Sequence, residues 1–246
     1  MCVVGSDCHC DAKLAESISL KHMAFVVDGN RRWAMQRGIP RFDGHKRGAL
    51  VMKDLTAELM KYGIKYITYF VFSTENWNRS KEEVDSLMDI FRESFESFVD
   101  IAKKNHVKFV TIGNLERLPL DIQEKIKRLR IETEEFSRVT VTIAINYGAR
   151  DEILRAVKRL VADVIDKKID LDALTENDFS NYLDTAGIPY PDIIVRTGEK
   201  RISNFLLWQA AYSEIFFVEK YWPDLTEEDM RKIIKEFSHR KRRYGT

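Results

Sequence analysis

What most constrains the fold of this chain is a set of five short apolar runs, residues 24–28, 66–72, 108–113, 139–146 and 192–196, separated by longer stretches of helical pattern. Their apolar residues follow one another almost without polar alternation. A strand that is apolar on both sides has to be covered on both faces, the condition of a parallel sheet with helical crossovers. The pattern predicts an α/β fold: a single domain with a mostly parallel central sheet flanked by helices. With 44% hydrophobic residues, a 246-residue chain can bury one sizeable core and does not require a second domain. The expected division is a flexible N-terminal tail over residues 1–20 and one domain over 21–246.

Composition removes several other classes. The longest apolar runs fall far short of the roughly 20 residues that span a membrane, and none follows Met1. A soluble, unexported, cytoplasmic chain is expected. Forty Lys and Arg against 39 Asp and Glu leave a net charge of +1, so no overall field argues for nucleic acid, and any anion site must be built locally. Cys2, Cys8 and Cys10 crowd around His9 without the second ligand pair of a structural zinc site, and three thiols fit poorly with a disulfide framework. They read as part of a reduced tail, as a cytoplasmic protein would carry.

In open α/β sheets ligands bind beyond the carboxyl ends of the strands, which here are Asp28, Ser73, Asn146 and Arg196. The first run ends in Asp28-Gly29-Asn30-Arg31-Arg32-Trp33, followed by Arg41 and a turn, Gly44-His45-Lys46-Arg47-Gly48, leading into a helix. Glycine permits close backbone approach, amides at a helix start favour anions, and Arg32, Arg41 and His45 add positive charge, as a diphosphate cradle needs. A carboxylate at Asp28 among so many cations makes sense if it holds Mg, which takes one or two carboxylates together with phosphate oxygens. The competing reading is a surface turn with Asp28 paired to an arginine.

A second polar loop, Ser73-Thr74-Glu75-Asn76-Trp77-Asn78-Arg79, reads either as a ligand-carrying lid or as a capping connection with Trp77 tucked inward. A third, from Arg196 to Asn204, sets Arg196, Lys200, Arg201 and Ser203 around Gly198, as a second anion pocket or a surface charge run. Glu214 stands beyond it as a lone acid. The clearest helix starts at an N-cap, Ser80, with Glu83 three residues on as in a capping box. It carries an apolar face of Val84, Leu87, Met88, Phe91, Phe95, Phe98, Val99 and Ala102. Two anion pockets, a metal carboxylate and a long apolar wall are what the joining of two prenyl diphosphates requires.

Five ordered blocks carry a resemblance. Asp28-Gly29-Asn30-Arg31-Arg32-Trp33-Ala34 with Gly44-His45, Phe72 through Arg79, Asn146-Tyr147-Gly148, Arg196-Thr197-Gly198 with Arg201 through Gln209, and Tyr221-Trp222-Pro223-Asp224 resemble the signature blocks of cis-prenyltransferases over residues 22–245. The DDxxD motif of the unrelated trans-prenyltransferases is absent. The resemblance implies an enzyme that extends an allylic diphosphate with isopentenyl diphosphate in cis and releases pyrophosphate. It implies that Asp28 binds Mg, that Gly29, Asn30, Arg31 and Arg32 with Arg41 and His45 hold the allylic diphosphate beside Trp33, and that Asn76 assists proton handling. Ser73 and Trp77 would belong to a mobile lid, with Arg79 near the substrate. Arg196, Arg201 and Ser203 would hold isopentenyl diphosphate, and Glu214 would help place Mg. A hydrophobic product tunnel beside the helix from Ser80, a homodimer, a tail Arg243-Tyr244-Gly245 reaching the neighbouring subunit, and peripheral membrane contact for product release are likewise implied.

The chain departs from the family pattern at four places. Arg31 stands where the commonest bacterial form has Gly, which points toward archaeal or eukaryotic-like members. The stretch between Arg196 and Arg201 is one residue shorter than usual, and Ala149 replaces a second glycine after Asn146-Tyr147-Gly148. Val71 occupies a position where a small alanine is frequent, favouring a shorter product. The shortened loop keeps open an alternative acceptor, an alcohol-bearing lipid precursor or a second allylic diphosphate. A non-catalytic partner subunit is the remaining alternative, opposed by the retained Asp28, Asn76 and Glu214.

Overall fold

The computed structural model describes residues 20–240. In chain order the elements are β1 (His22–Val26), α1 (Asn30–Gln36), α2 (Arg41–Lys61), β2 (Tyr66–Ser73), α3 (Lys81–Asn105), β3 (Val107–Ile112) and α4 (Leu120–Thr133). There follow β4 (Val139–Tyr147), α5 (Ala149–Ile165), α6 (Glu176–Ser180), β5 (Ile193–Thr197), β6 (Glu214–Val218) and α7 (Glu227–His239). The six strands form one sheet in the order β3-β4-β2-β1-β5-β6, every neighbouring pair parallel.

Strand β1, at the centre, is buried along its whole length, which is why its sequence shows no alternation. Successive residues nevertheless face opposite cores. Met23 and Phe25 join the larger core with side chains of α2, α3, α4 and α7, while Ala24 and Val26 join a smaller one with Tyr147, Phe205 and Leu206. Strand β2 interrupts this alternation. Its register against β4 passes from Phe70 opposite Ala144 to Phe72 opposite Ile145, leaving Val71 as the extra residue of a β-bulge. Val71 and Phe72 thereby both pack toward the larger core.

All five expected strands occur, with ends shifted by one or two residues. The sixth, β6, is an edge strand that begins at Glu214 and exposes Phe217; its apolar run, Ile215 to Val218, was not among the five expected strands. The Gly44 to Gly48 segment expected as a turn lies inside α2, because Pro40 at the N-cap starts the helix at Arg41. Its glycines serve packing. A Cβ at Gly44 would stand 2.2 Å from the Asn30 carbonyl oxygen, and one at Gly48 would stand 2.4 Å from Asn30 Oδ1, so their absence lets α1 lie against α2.

From β1 the chain moves to β2 on one side, and β5 later adds on the other, so the order of connections reverses between β1 and β5. The crevice that is the usual ligand position in such sheets therefore falls where Asp28 and Arg196 emerge. Among the described residues no helix is long and apolar enough to cross a membrane. Cys2, Cys8 and Cys10 and the Arg243-Tyr244-Gly245 tail lie outside the described residues.

Candidate active site

A cavity of about 670 Å³ opens at this crevice, bounded by the segments that follow β1, β2 and β5. Asp28 through Arg32, His45, Ser73, Asn76, Arg79, Arg196, Arg201 and Ser203 all line it. Three strand ends thus bring together residues that lie up to 175 positions apart.

Asp28 sits between two guanidiniums. Arg196 Nη2 donates to its Oδ2 at 2.8 Å, and Arg32 Nη2 lies 3.3 Å from its Oδ1. The other terminal nitrogen of Arg196, Nη1, donates to the Arg201 carbonyl at 2.6 Å and to Ser203 Oγ at 2.5 Å. Burial to 3% exposure works against its charge and lowers its pKa, while Asp28 opposes that shift. Arg201 Nε also donates to Ser203 Oγ, so one hydroxyl gathers two guanidiniums. Burial opposes the charge of Arg32 as well, but its hydrogen bond to Glu199 and the nearby Asp28 prevail, and its pKa is raised. The backbone behind this cluster is strained: Ser203, Asn204 and Leu206 hold φ of 54°, 62° and 47°, a region that L side chains other than Asn rarely occupy.

A second cluster surrounds Glu83. Its carboxylate lies 2.8 Å from Arg79, 3.5 Å from Arg31 and 3.7 Å from Arg41, with only 10% of the side chain exposed. The expected capping box at the start of α3 is consequently half formed. Ser80 Oγ accepts from the Glu83 amide, but the Glu83 side chain turns to the arginines. His45, nearby and half-buried, has its pKa pushed down to about 4, first by loss of solvent around the ring and then by Arg79 and Arg31 against Glu83. It is neutral near pH 7 and adds no positive charge there, a correction to its expected role; its Nε2 is buried without a hydrogen-bond partner among the described residues.

In the loop after β2, Asn76 Oδ1 accepts from the Ser73 amide while the Ser73 hydroxyl accepts from the Asn76 amide, a reciprocal cap on the 3-10 turn Thr74–Asn78. Trp77 is tucked inward. Its ring packs edge-on against Phe72 and its Nε1 donates to Asn146 Oδ1 at 2.7 Å, so it does not line the cavity. Neither does Trp33, whose Nε1 donates to Asp224 beneath the Arg37 guanidinium. Arg41 contributes only through Glu83. Glu214 is not brought to Asp28 within one chain. It lies level with Met23, five residues short of Asp28, on the order of 15 Å along the strands, and it pairs with Arg240.

Beyond His45 a narrow apolar cavity of about 60 Å³ continues between α2, α3 and the sheet, sharing Val27, Asn30, His45, Val71 and Leu87 with the larger one. Phe91, Phe95 and Phe98 line it, with Phe98 stacked on Phe109. Sequence reasoning met Glu83 as a helix cap and Glu199, Asn204 and Tyr221 within longer motifs, but gave none of them a role in the site. The first two are the counter-ions that so many arginines demand. Tyr221 presses on Gly29, where a Cβ would stand 2.5 Å from its ring, and Arg32 lies over that ring at 5.1 Å.

Comparison with known proteins identifies the family. The family model described as "Putative undecaprenyl diphosphate synthase" matches residues 26–245. An isoprenyl transferase of Treponema denticola is 45% identical over 230 residues, covering 93% of this chain and 99% of that protein. One of Thermotoga maritima is 46% identical over 227 residues, covering 92% and 96%. Both organisms are bacteria, so the archaeal or eukaryotic-like leaning drawn from Arg31 finds no support in them. The crystal structure of lavandulyl diphosphate synthase from Lavandula x intermedia, in complex with dimethylallyl diphosphate, superposes with a TM-score of 0.90 at 32% identity, covering 94% of this chain and 100% of that one. The family match over residues 26–245, with the strand order and the cation-lined crevice, places this chain in the undecaprenyl diphosphate synthase family of cis-prenyltransferases.

Proposed function

We propose that the chain transfers a prenyl group from an allylic diphosphate to isopentenyl diphosphate, extending it in cis and releasing pyrophosphate. The observation that carries this reading is the pairing of two cation clusters across Asp28 with an apolar cavity that leads away from them. The allylic carbon–oxygen bond breaks, pyrophosphate takes the electron pair, a carbon–carbon bond forms to the double bond of the acceptor, and a proton is lost. Asn30, Arg31 and Arg32 at the start of α1 face the donor diphosphate, with Arg79 and neutral His45 nearby. Arg196, Arg201 and Ser203 receive the acceptor diphosphate, and Asn76 borders the position where the proton leaves. Phe91, Phe95 and Val71 accept the chain as it lengthens.

Asp28 fits a Mg role in one respect: it presents a partly exposed carboxylate to a cavity built for diphosphate oxygens, the donor set Mg prefers. Mg bound there would neutralise the departing pyrophosphate. Among the described residues no group of three or more His, Cys, Asp or Glu gathers as a metal site, at Asp28 or beyond it. Glu214 could join Asp28 only from a second subunit, and a homodimer is part of this proposal. Its interface is assigned to the exposed stripe Leu154, Val157, Val161 and Ile165 on α5. A cytoplasmic enzyme in peripheral contact with a membrane suits a product too apolar for water.

The test is an incubation with Mg, a labelled allylic diphosphate and isopentenyl diphosphate, with products separated by length. A ladder of cis-extended products is expected. Transfer to an alcohol or a second allylic diphosphate, with no ladder, would establish the changed-acceptor reading that the shortened, strained loop between Arg196 and Asn204 favours.

A further inference from the structure

Three loops that follow different strands meet at Gly148. A Cβ there would stand 2.7 Å from both Asn204 Nδ2 and Thr74 Oγ1, so glycine permits the loop after β2 and the loop after β5 to close over the turn between β4 and α5. Asn204 ties the three together. Its carbonyl accepts from the Ala149 amide at 2.8 Å, its Oδ1 accepts from the Arg150 amide at 2.9 Å, and its Nδ2 donates to Glu75 Oε1 at 3.1 Å. Its neighbour Ser203 carries the contacts to Arg196 and Arg201, and Glu75 belongs to the turn that Ser73 and Asn76 cap.

We propose that Asn204 is a positioning residue: through Glu75 it couples the loop after β2 to the pocket of Arg196, Arg201 and Ser203, so that acceptor binding and loop closure form one unit. This rests on the assignment of that pocket to the acceptor diphosphate. Asn also suits the left-handed φ of 62° at this position, where it lends tolerance to the strained run that starts at Ser203. The contact is a hydrogen bond to an ionised carboxylate. Burial raises the Glu75 pKa, but its own amide and the Asn204, Ser73 and Thr74 contacts outweigh this and hold it low.

Asn204→Asp, Glu75→Gln and the double variant test the coupling. Aspartate keeps the left-handed tolerance and the acceptor for the Arg150 amide, but sets two carboxylates face to face. The single Asn204→Asp exchange is expected to raise the KM for isopentenyl diphosphate roughly ten-fold or more, leaving the KM for the allylic diphosphate and the unfolding midpoint unchanged. In the double variant the glutamine amide donates to the new carboxylate, and the KM returns to within about three-fold of the Glu75→Gln value. A double variant no better than Asn204→Asp, or equal shifts in both KM values, overturns the coupling. Arg196→Lys serves as control: an unchanged KM for isopentenyl diphosphate overturns the acceptor assignment and the coupling with it. A raised one leaves the coupling to be judged by the pair alone.

Discussion

Asp28 and Arg196 are so closely paired that the choice of substitution decides what an experiment reports. Asp28→Ala takes away the carboxylate and leaves Arg196, 3% exposed, short of its counter-ion, so a stability loss of roughly 1–3 kcal/mol accompanies any loss of turnover. Asp28→Asn keeps the shape and one acceptor. It is expected to lower kcat about a hundred-fold or more while holding the unfolding midpoint within a few degrees, read by steady-state kinetics and thermal melts. His22 provides a prediction remote from the chemistry. Fully buried, its ring contacts the Pro189 carbonyl at 2.6 Å and Thr68 Oγ1 at 2.8 Å, and burial pushes its pKa down from 6.5 to about 4. The unfolded chain therefore takes up the proton first as pH falls. Stability present above about pH 6.5 is lost toward pH 4, by roughly 3 kcal/mol from this group. His22→Gln should flatten that part of the curve in urea titrations at pH 7, 5.5 and 4.5. Residues that announce themselves by type at a strand end, Asp28, Ser73 and Arg196, were legible in the sequence. Glu83 was not, because its position three residues after Ser80 has an ordinary explanation as a capping partner.

At the level of elements, the pattern of apolar runs located five strands because double burial writes itself into composition. Strand β6, half exposed at the edge, carries a comparable run, Ile215 to Val218, but short apolar runs do not by themselves separate a strand from a helix segment. A bulge leaves no trace in composition. The extra residue at Val71 was visible as a bulky side chain in an unusual place, but only pairing with β4 reveals that it breaks alternation and borders both cavities. Val71→Ala is expected to widen the passage and move the product distribution toward longer chains, as chromatography of the labelled products would show. The glycines of α2 teach the opposite lesson. Read as a turn, they mark a helix packed too closely for a Cβ. Gly44→Ala, with its Cβ 2.2 Å from the Asn30 carbonyl, should cost about 1–3 kcal/mol in denaturant unfolding and displace α1 from the cavity wall.

On the scale of the whole molecule, Leu154, Val157, Val161 and Ile165 recur at helical spacing on α5 and remain 38–73% exposed. Val161→Glu with Ile165→Glu should halve the mass measured by light scattering if a second copy covers them, with the far-ultraviolet circular dichroism unchanged. The expectation of a homodimer rested only on family resemblance, since an apolar stripe in sequence does not distinguish a core face from a subunit face. The ion pair between Asp28 and Arg196 spans 168 positions of sequence, yet joins adjacent central strands. Nothing short of a nearly complete chain can therefore make the proposed diphosphate site. During synthesis the first strand must wait, its carboxylate with Arg32 alone for a partner, until the fifth has emerged. A nascent or truncated chain should hold no substrate, and bound diphosphate should act as a clasp across the sheet, resisting unfolding of both halves together.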